Sequence, residues 1–429
     1  MSDAPRIDQA ELQQRLQQAR ARHDEFCQAG LALDLTRGKP ASAQLDLSSQ
    51  LDGILQGSYK AADGTDVRNY GGLKGLPEAR ELGSWLLDMP AERVLAGGNS
   101  SLTLMYLFVE TALLFGLGNL PAWRESTRQP KVLCPVPGYD RHFTICEQLG
   151  IEMLTVPMLE TGPDMDAVEA MVAADPDIRA IWCVPKYSNP TGCVYDQATV
   201  ERLAALPGRT RPGFFVLWDN AYAVHDLTAN PPQLSNLFQQ ALAAGTEDGV
   251  ALFASTSKIT FAGGGVAFMG ASEAVLSGFE QRLGALMIGP DKINQLRHAR
   301  LFPDREALMA HMGRHADLIG PRFAAVERAL QAIEGEQLAS WTRPQGGYFV
   351  SVDTRPGLAR EVVRLAAEAG VKLTPAGATF PYGRDPDNCN IRLAPTFPSL
   401  EEVERAMEVF INCIRLASYD ALLQQETRA

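Results

Sequence analysis

Gly249-Val250-Ala251-Leu252-Phe253-Ala254-Ser255-Thr256-Ser257-Lys258 is an apolar run that ends in three hydroxyl residues and a lysine. The run reads as a buried strand, and its tip as the turn that leaves the sheet. A lysine at such a place needs a partner or a task, because an unpaired buried ammonium is expensive. One task is to lose its charge and attack a carbonyl, forming a Schiff base. The plain alternative is a solvated lysine after a serine-rich turn, and this stretch alone leaves both open.

Outward from this stretch the chain alternates. Short apolar runs at 93–96, 131–135, 151–156, 179–184, 213–218 and 249–254 read as strands. Helix-like segments fall near 76–88, 100–116, 139–149, 164–174 and 196–206. Such alternation predicts an α/β fold, a mostly parallel sheet flanked by helices, with a smaller α+β domain. A polar-faced helix is expected over 8–29, with Asp8 as a cap and Gly30 just past its end. Residues 31–75 read as irregular. Beyond about residue 300 the pattern turns to long helices at 304–333, 357–369 and 399–424, with strands near 346–352 and 390–394. Pro398-Ser399-Leu400-Glu401-Glu402 carries the residues of a helix start. The expected division is 1–60, an N-terminal helix and arm packing with the small domain; 61–320, the large α/β domain; and 321–429, the small domain.

With 429 residues the chain is too long for one compact core. A net charge of −12 argues against a nucleic-acid surface. The seven cysteines are odd in number and form no CxxC, so a reducing compartment fits better than a disulfide framework or a zinc site. Residues 1–26 lack the apolar core of a signal peptide, and no apolar run approaches the roughly 20 residues needed to cross a bilayer. A cytoplasmic protein with no membrane partner is expected.

In parallel α/β sheets, ligands sit beyond the carboxyl ends of the strands. Gly97-Gly98-Asn99-Ser100-Ser101 opens a helix there and could cradle a phosphate, or could be an ordinary serine cap. Tyr139, after Pro137-Gly138, could stack on a flat ring or simply pack. Asn189, in Ser188-Asn189-Pro190-Thr191-Gly192, could donate to a phenolate oxygen or serve its turn. Asp219, in Asp219-Asn220-Ala221-Tyr222, could pair with a protonated pyridine nitrogen or cap a helix. Taken in order, and ending on Lys258, these pieces form one set of contacts for one cofactor, pyridoxal phosphate.

At this point the chain resembles the fold type I pyridoxal-phosphate aminotransferases of class I/II. The resemblance rests on Tyr70 with Gly71-Gly72-Leu73-Lys74-Gly75-Leu76, on the five strand-end pieces above, and on Asn390-Ile391-Arg392-Leu393. It runs from about residue 34 to the C-terminus. Gly289-Pro290-Asp291-Lys292-Ile293-Asn294-Gln295-Leu296-Arg297-His298 and Arg343-Pro344-Gln345-Gly346-Gly347-Tyr348-Phe349 are similar to the bacterial aspartate aminotransferase or MocR-like subgroup.

The resemblance implies roles for single residues. Lys258 would form the Schiff base and move the Cα proton. Asp219 would pair with the ring nitrogen, Tyr222 and Asn189 would bond the phenolate oxygen, and Tyr139 would stack on the ring. Ser100, Ser101, Ser255 and Ser257 would hold the phosphate, with Tyr70 reaching in from the second subunit of a homodimer. Arg392 would fork onto the substrate α-carboxylate, and Gly38 would let the substrate approach the backbone. A dicarboxylic donor, aspartate or glutamate with 2-oxoglutarate or oxaloacetate as acceptor, would need a further cation, either Arg141 or Lys292.

One departure stands out. The arginine that the family usually places about eight residues after the lysine is absent from Ile259-Thr260-Phe261-Ala262-Gly263-Gly264-Gly265-Val266. Backbone N–H groups of the glycine run, Lys60 or Arg68 are the candidates to replace its charge. His311 and His315 share a helix face but have no third ligand nearby for a metal. Two other readings stay open: β-elimination or decarboxylation with the same cofactor, and a regulatory protein that binds an amino acid in the same cleft.

Overall fold

The computed structural model describes residues 8–428. In chain order its strands are β1 (Leu33–Asp34), β2 (Val94–Ala96), β3 (Lys131–Val136), β4 (Glu152–Leu159), β5 (Gly162–Pro163), β6 (Ile178–Cys183), β7 (Phe215–Asp219), β8 (Val250–Ser255), β9 (Ala267–Gly270), β10 (Ala339–Trp341), β11 (Val350–Thr354), β12 (Val371–Lys372) and β13 (Asn390–Leu393). Two compact units result, the larger being Ser42–Leu318 with Gln345–Gly347.

The larger unit is built on one eight-stranded sheet in the order β2-β9-β8-β7-β6-β3-β4-β5. From β8 to β4 all neighbours are parallel. β2, β9 and β5 join antiparallel at the two sides. The mostly parallel α/β sheet is therefore present. β9 has no counterpart in the sequence reading. Its four residues follow a glycine run, and a segment that short shows no period.

Alternate residues along each strand supply opposite faces. Val216, Trp218, Leu252 and Ala254 enter one apolar core, while Phe215, Leu217, Ala251 and Phe253 enter the other. With both faces covered, the central strands read as unbroken apolar runs. Helix Ser101–Leu114 packs on the second face through Phe108, whose ring meets Phe215 and Phe253 edge-on at 5.0 and 5.7 Å. Burying such a ring contributes about 1.5–3 kcal/mol. It also fixes the helix whose first residues open beside the strand ends.

Residues 42–60 lie in the larger unit and not with the N-terminal arm. Gln44 and Ser48 are buried against His315 and His311, and Leu51 and Leu55 enter the first core. Gln345–Gly347 joins the same unit because the Leu227 N–H donates to the Gln345 carbonyl and the Gly347 N–H to that of His225, both at 2.9 Å. Glycine is required there, since a Cβ on Gly346 would lie 2.3 Å from the Tyr187 ring.

The smaller unit comprises the described residues up to Ala41, Ile319–Pro344, and Tyr348 onward. It holds the antiparallel sheet β10-β11-β13 and the parallel pair β1-β12. Helices Gln9–Gln28 and Leu400–Arg428 pack together, tied by a buried bond from Asn412 Nδ2 to the Ala19 carbonyl (3.0 Å). Among the described residues no helix is long and apolar enough to cross a membrane.

Candidate active site

β8, β7, β6 and β3 are adjacent and parallel, so their carboxyl ends open along one edge of the sheet. A small cleft lies there, lined by Ser101, Leu102, Met105, Tyr139, Val184, Asn189, Asp219, Ala221, Tyr222 and Lys258. Six residues singled out in the sequence thus share one cavity, although they are spread over some 160 positions of the chain.

Asp219 ends β7 and is only 2% exposed. Its Oδ2 lies 2.9 Å from His142 Nε2, while its buried Oδ1 has no hydrogen-bond partner. A carboxylate only accepts, so the imidazole carries its proton on Nε2 and donates. His142 stacks on Trp182 with centroids 4.1 Å apart and an 8° tilt, and meets Tyr139 edge-on at 5.0 Å. Sequence reading passed over His142. The available signal was its place three residues after Tyr139, one helical turn along.

Lys258 follows β8 and holds its ammonium 5.0 Å from the Tyr222 ring centre. Loss of water lowers its pKa from the usual lysine value, and nearby Asp219 opposes that shift. The turn around it is fastened to the loop after β2. Ser255 Oγ donates to Ser257 Oγ (3.2 Å), and Ser257 Oγ donates to the Asn99 carbonyl (3.1 Å). Ser100 holds the N-cap position of helix Ser101–Leu114 but makes no side-chain capping bond.

The glycine run closes against the same turn. A Cβ on Gly265 would come within 2.9 Å of the Ser257 nitrogen. Asn294 Nδ2 donates to the carbonyls of Gly264 and Gly265, both at 2.9 Å. Arg68 forks onto Asp66 at 2.9 and 2.6 Å, and Lys60 is exposed.

Tyr70 is 82% exposed. Its loop is held by the buried Lys292, whose Nζ donates to the carbonyls of Asn69 (2.9 Å) and Gly71 (2.5 Å). Arg141 is exposed on the first turn of helix Asp140–Gln148. In the smaller unit Arg392 is buried on β13, its guanidinium 5.0 Å from the Phe349 ring centre. A Cβ on Gly38 would lie 2.2 Å from that same ring. The Phe349 ring thus closely approaches the backbone at Gly38. His311 and His315 are buried, and among the described residues no group of three His, Cys, Asp or Glu could hold a metal.

An open carboxylate oxygen, an amine of lowered basicity and aromatic rings in one narrow cleft suit amine chemistry on a covalently held ring. The sequence model of the aspartate amino-transferase family matches residues 7–426. An aspartate aminotransferase of Corynebacterium glutamicum is 46% identical over 397 residues, covering 92% of this chain and 91% of the relative. The crystal structure of an aspartate transaminase from Corynebacterium glutamicum superposes with a TM-score of 0.93 at 44% identity, covering 97% of this chain and 98% of that one. The α-aminoadipate aminotransferase of Thermus thermophilus, solved with N-(5'-phosphopyridoxyl)-L-leucine, shares the fold at a TM-score of 0.74 and 23% identity, covering 98% of this chain and 100% of that one. The chain belongs to the aspartate amino-transferase family. It is an aminotransferase, and the aminotransferases of this fold use pyridoxal phosphate.

Proposed function

We propose that the enzyme holds pyridoxal 5'-phosphate on Lys258, takes an amino group from aspartate or glutamate, and delivers it to 2-oxoglutarate or oxaloacetate. The observation that carries the cofactor assignment is the buried, unpartnered Oδ1 of Asp219 in the cleft that Lys258 lines. An unmet buried acceptor is costly, and a protonated ring nitrogen is the donor that would meet it. The relatives named as aminotransferases favour transfer over β-elimination, decarboxylation or a purely regulatory role.

When bound, pyridoxal phosphate supplies a carbonyl that takes the amino group and a ring that draws electrons from the substrate Cα. Lys258 Nζ, its basicity lowered by burial, moves the proton at that carbon. Asp219 Oδ1 accepts the ring N–H, and the His142 proton on Oδ2 holds the carboxylate in place. Tyr139 covers a ring face, while the Asn189 amide and the Tyr222 hydroxyl donate to the phenolate oxygen. Ser100, Ser101, Ser255 and Ser257 hold the phosphate with the N–H groups that open helix Ser101–Leu114. That helix end and the backbone of the glycine turn take over the part of the missing arginine. Arg392 grips the α-carboxylate, and Gly38 lets the substrate approach the backbone.

The active form is proposed to be a homodimer that shares its sites through Tyr70. A tyrosine 82% exposed on a loop braced by a buried lysine supports a partner-facing role. Sedimentation at assay dilution should show a dimer, and a fully active monomer would remove the proposal. A cytoplasmic location is part of the same reading, since seven unpaired thiols suit a reducing compartment.

For the distal carboxylate we favour Arg141. Lys292 already spends two of its protons on backbone carbonyls, whereas Arg141 follows Tyr139 by two residues and is exposed. With 2-oxoglutarate as acceptor, a panel of amino donors should give aspartate or glutamate as the fastest. Arg141→Ala should cost about 2–5 kcal/mol in kcat/KM for aspartate and little for alanine. Lys292→Ala should lower both alike. Fastest turnover with aromatic donors would overturn the dicarboxylate assignment and leave the aminotransferase intact.

A further inference from the structure

We propose that His225, His298 and His311 act together as positioning residues for Lys258, each holding one of the three consecutive residues Lys258, Ile259 and Thr260. The proposal rests on the reading of Lys258 as the lysine that carries the cofactor.

The chain has six histidines, and these three converge on one turn from separate segments. His225 Nε2 lies 3.3 Å from the Lys258 carbonyl oxygen. His311 Nε2, on helix Arg305–Gln331, lies 2.8 Å from that of Ile259. His298 Nε2, on helix Lys292–Leu301, lies 2.9 Å from Thr260 Oγ1. The three side chains are 3%, 1% and 0% exposed.

Hydrogen-bond logic sets their protons. Carbonyls only accept, so His225 and His311 donate from Nε2. An Arg314 guanidinium N–H meets His311 Nδ1 at 3.0 Å, so that nitrogen is bare and the ring neutral. His298 Nδ1 faces the Asn294 carbonyl at 2.8 Å and donates to it, which leaves Nε2 to accept from the Thr260 hydroxyl. Burial keeps all three neutral: it lowers the pKa of His298 and His311, and pushes that of His225 down to about 3 with help from the nearby charge of Lys258.

The turn that receives them has left strand β8, so no neighbouring strand supplies donors to its carbonyls. Thr256 braces it from the other side. Its Oγ1 accepts the Val266 N–H (2.8 Å), and its carbonyl accepts the N–H groups of Ile259 and Thr260, both at 2.8 Å. Lys258, Ile259 and Thr260 are thereby each fixed through a bond to Thr256 or to a histidine, Thr256 is bound to Val266, and Ser257 to Asn99. A lysine has a long flexible stem, so a small shift of its Cα becomes a large misplacement of Nζ. Misplacement by about 1 Å can cost a reaction up to about 10²-fold. A clamp on the backbone leaves the stem free to swing while its root stays still.

The test separates holding the amine from merely filling space. Protein freed of cofactor is mixed with pyridoxal phosphate, the adduct is trapped with borohydride at timed intervals, and its site is mapped by peptide analysis. Affinity for pyridoxine phosphate, whose alcohol forms no adduct, is measured in parallel. His311→Leu and His225→Phe should each slow capture at Lys258 by about tenfold or more, with pyridoxine phosphate affinity kept within about twofold. His311→Gln, which retains an N–H donor, should recover capture to within about threefold of wild type. Should His311→Leu not fold, Thr260→Val decides on the same two readouts. Capture within twofold of wild type in the folded variants, or a parallel loss of pyridoxine phosphate binding, would overturn the clamp. Absence of any adduct at Lys258 in the wild-type protein would instead sink the underlying reading of the site, and the clamp with it.

Discussion

Lys258→Ala is expected to abolish transamination together with the borohydride-reducible adduct on the chain. A positioned acid–base group contributes about 10²–10⁴-fold to a proton transfer, and the covalent attachment is lost in addition. The fold should survive the change. In the folded chain the pKa of Lys258 is lowered, so the folded state holds this proton less firmly than the unfolded one. The group therefore costs stability at every pH below the ordinary lysine value. The contact with the Tyr222 ring returns only part of that cost. Cofactor-free Lys258→Ala should melt at or above the temperature of cofactor-free wild type. Wild-type-like turnover in the variant would remove the central claim. A large fall in melting temperature would mark the lysine as structural.

The strand-end residues were legible because a parallel sheet converts order along the chain into adjacency in space. Asp219, Asn189, Tyr139 and Lys258 each follow an apolar run, and the runs lie side by side as β7, β6, β3 and β8. Their chemistry could be assembled before any contact was known. What could not be read depends on contacts between segments with no shared period. His142 is one turn past Tyr139, but only the pairing of β3, β6 and β7 brings it to Asp219. His225, His298 and His311 lie 33, 38 and 52 residues from the groups they hold, so their convergence has no sequence pattern. Glycine at 38 marks a close approach without naming the neighbour, and the Phe349 ring beside it is visible only in the structure. Lys292 looked like an open cation because charge is visible in a sequence and the backbone carbonyls of Asn69 and Gly71 are not. The fold class was thus carried by local patterning, and the second layer of contacts around the site by tertiary structure alone.

Asp219→Asn is expected to keep the fold and lose most of the turnover, for a reason written in the hydrogen bonds. Aspartate at 219 offers two acceptors, one facing the His142 N–H and the other left for a ring N–H. Asparagine has one acceptor oxygen and one NH₂ group that only donates. If its oxygen keeps the His142 bond, its NH₂ faces the ring nitrogen, which must then be unprotonated to accept. An unprotonated ring draws electrons from Cα poorly. If the amide flips instead, its NH₂ confronts His142, and the imidazole must change tautomer to accept. Either arrangement removes the negative charge that holds the ring proton. Breaking a buried charged pair costs about 3–5 kcal/mol, which corresponds to roughly two to four orders of magnitude in rate. The loss should fall on kcat and kcat/KM together, since the interaction matters most as charge builds on the ring. The melting temperature of the cofactor-free protein should hardly move, because the substitution preserves shape and can keep the bond to His142. Stopped-flow single turnovers with aspartate would read the chemical step directly. A loss of less than tenfold would make the Asp219–His142 pair a structural element of the sheet edge and leave the ring nitrogen without its proposed partner.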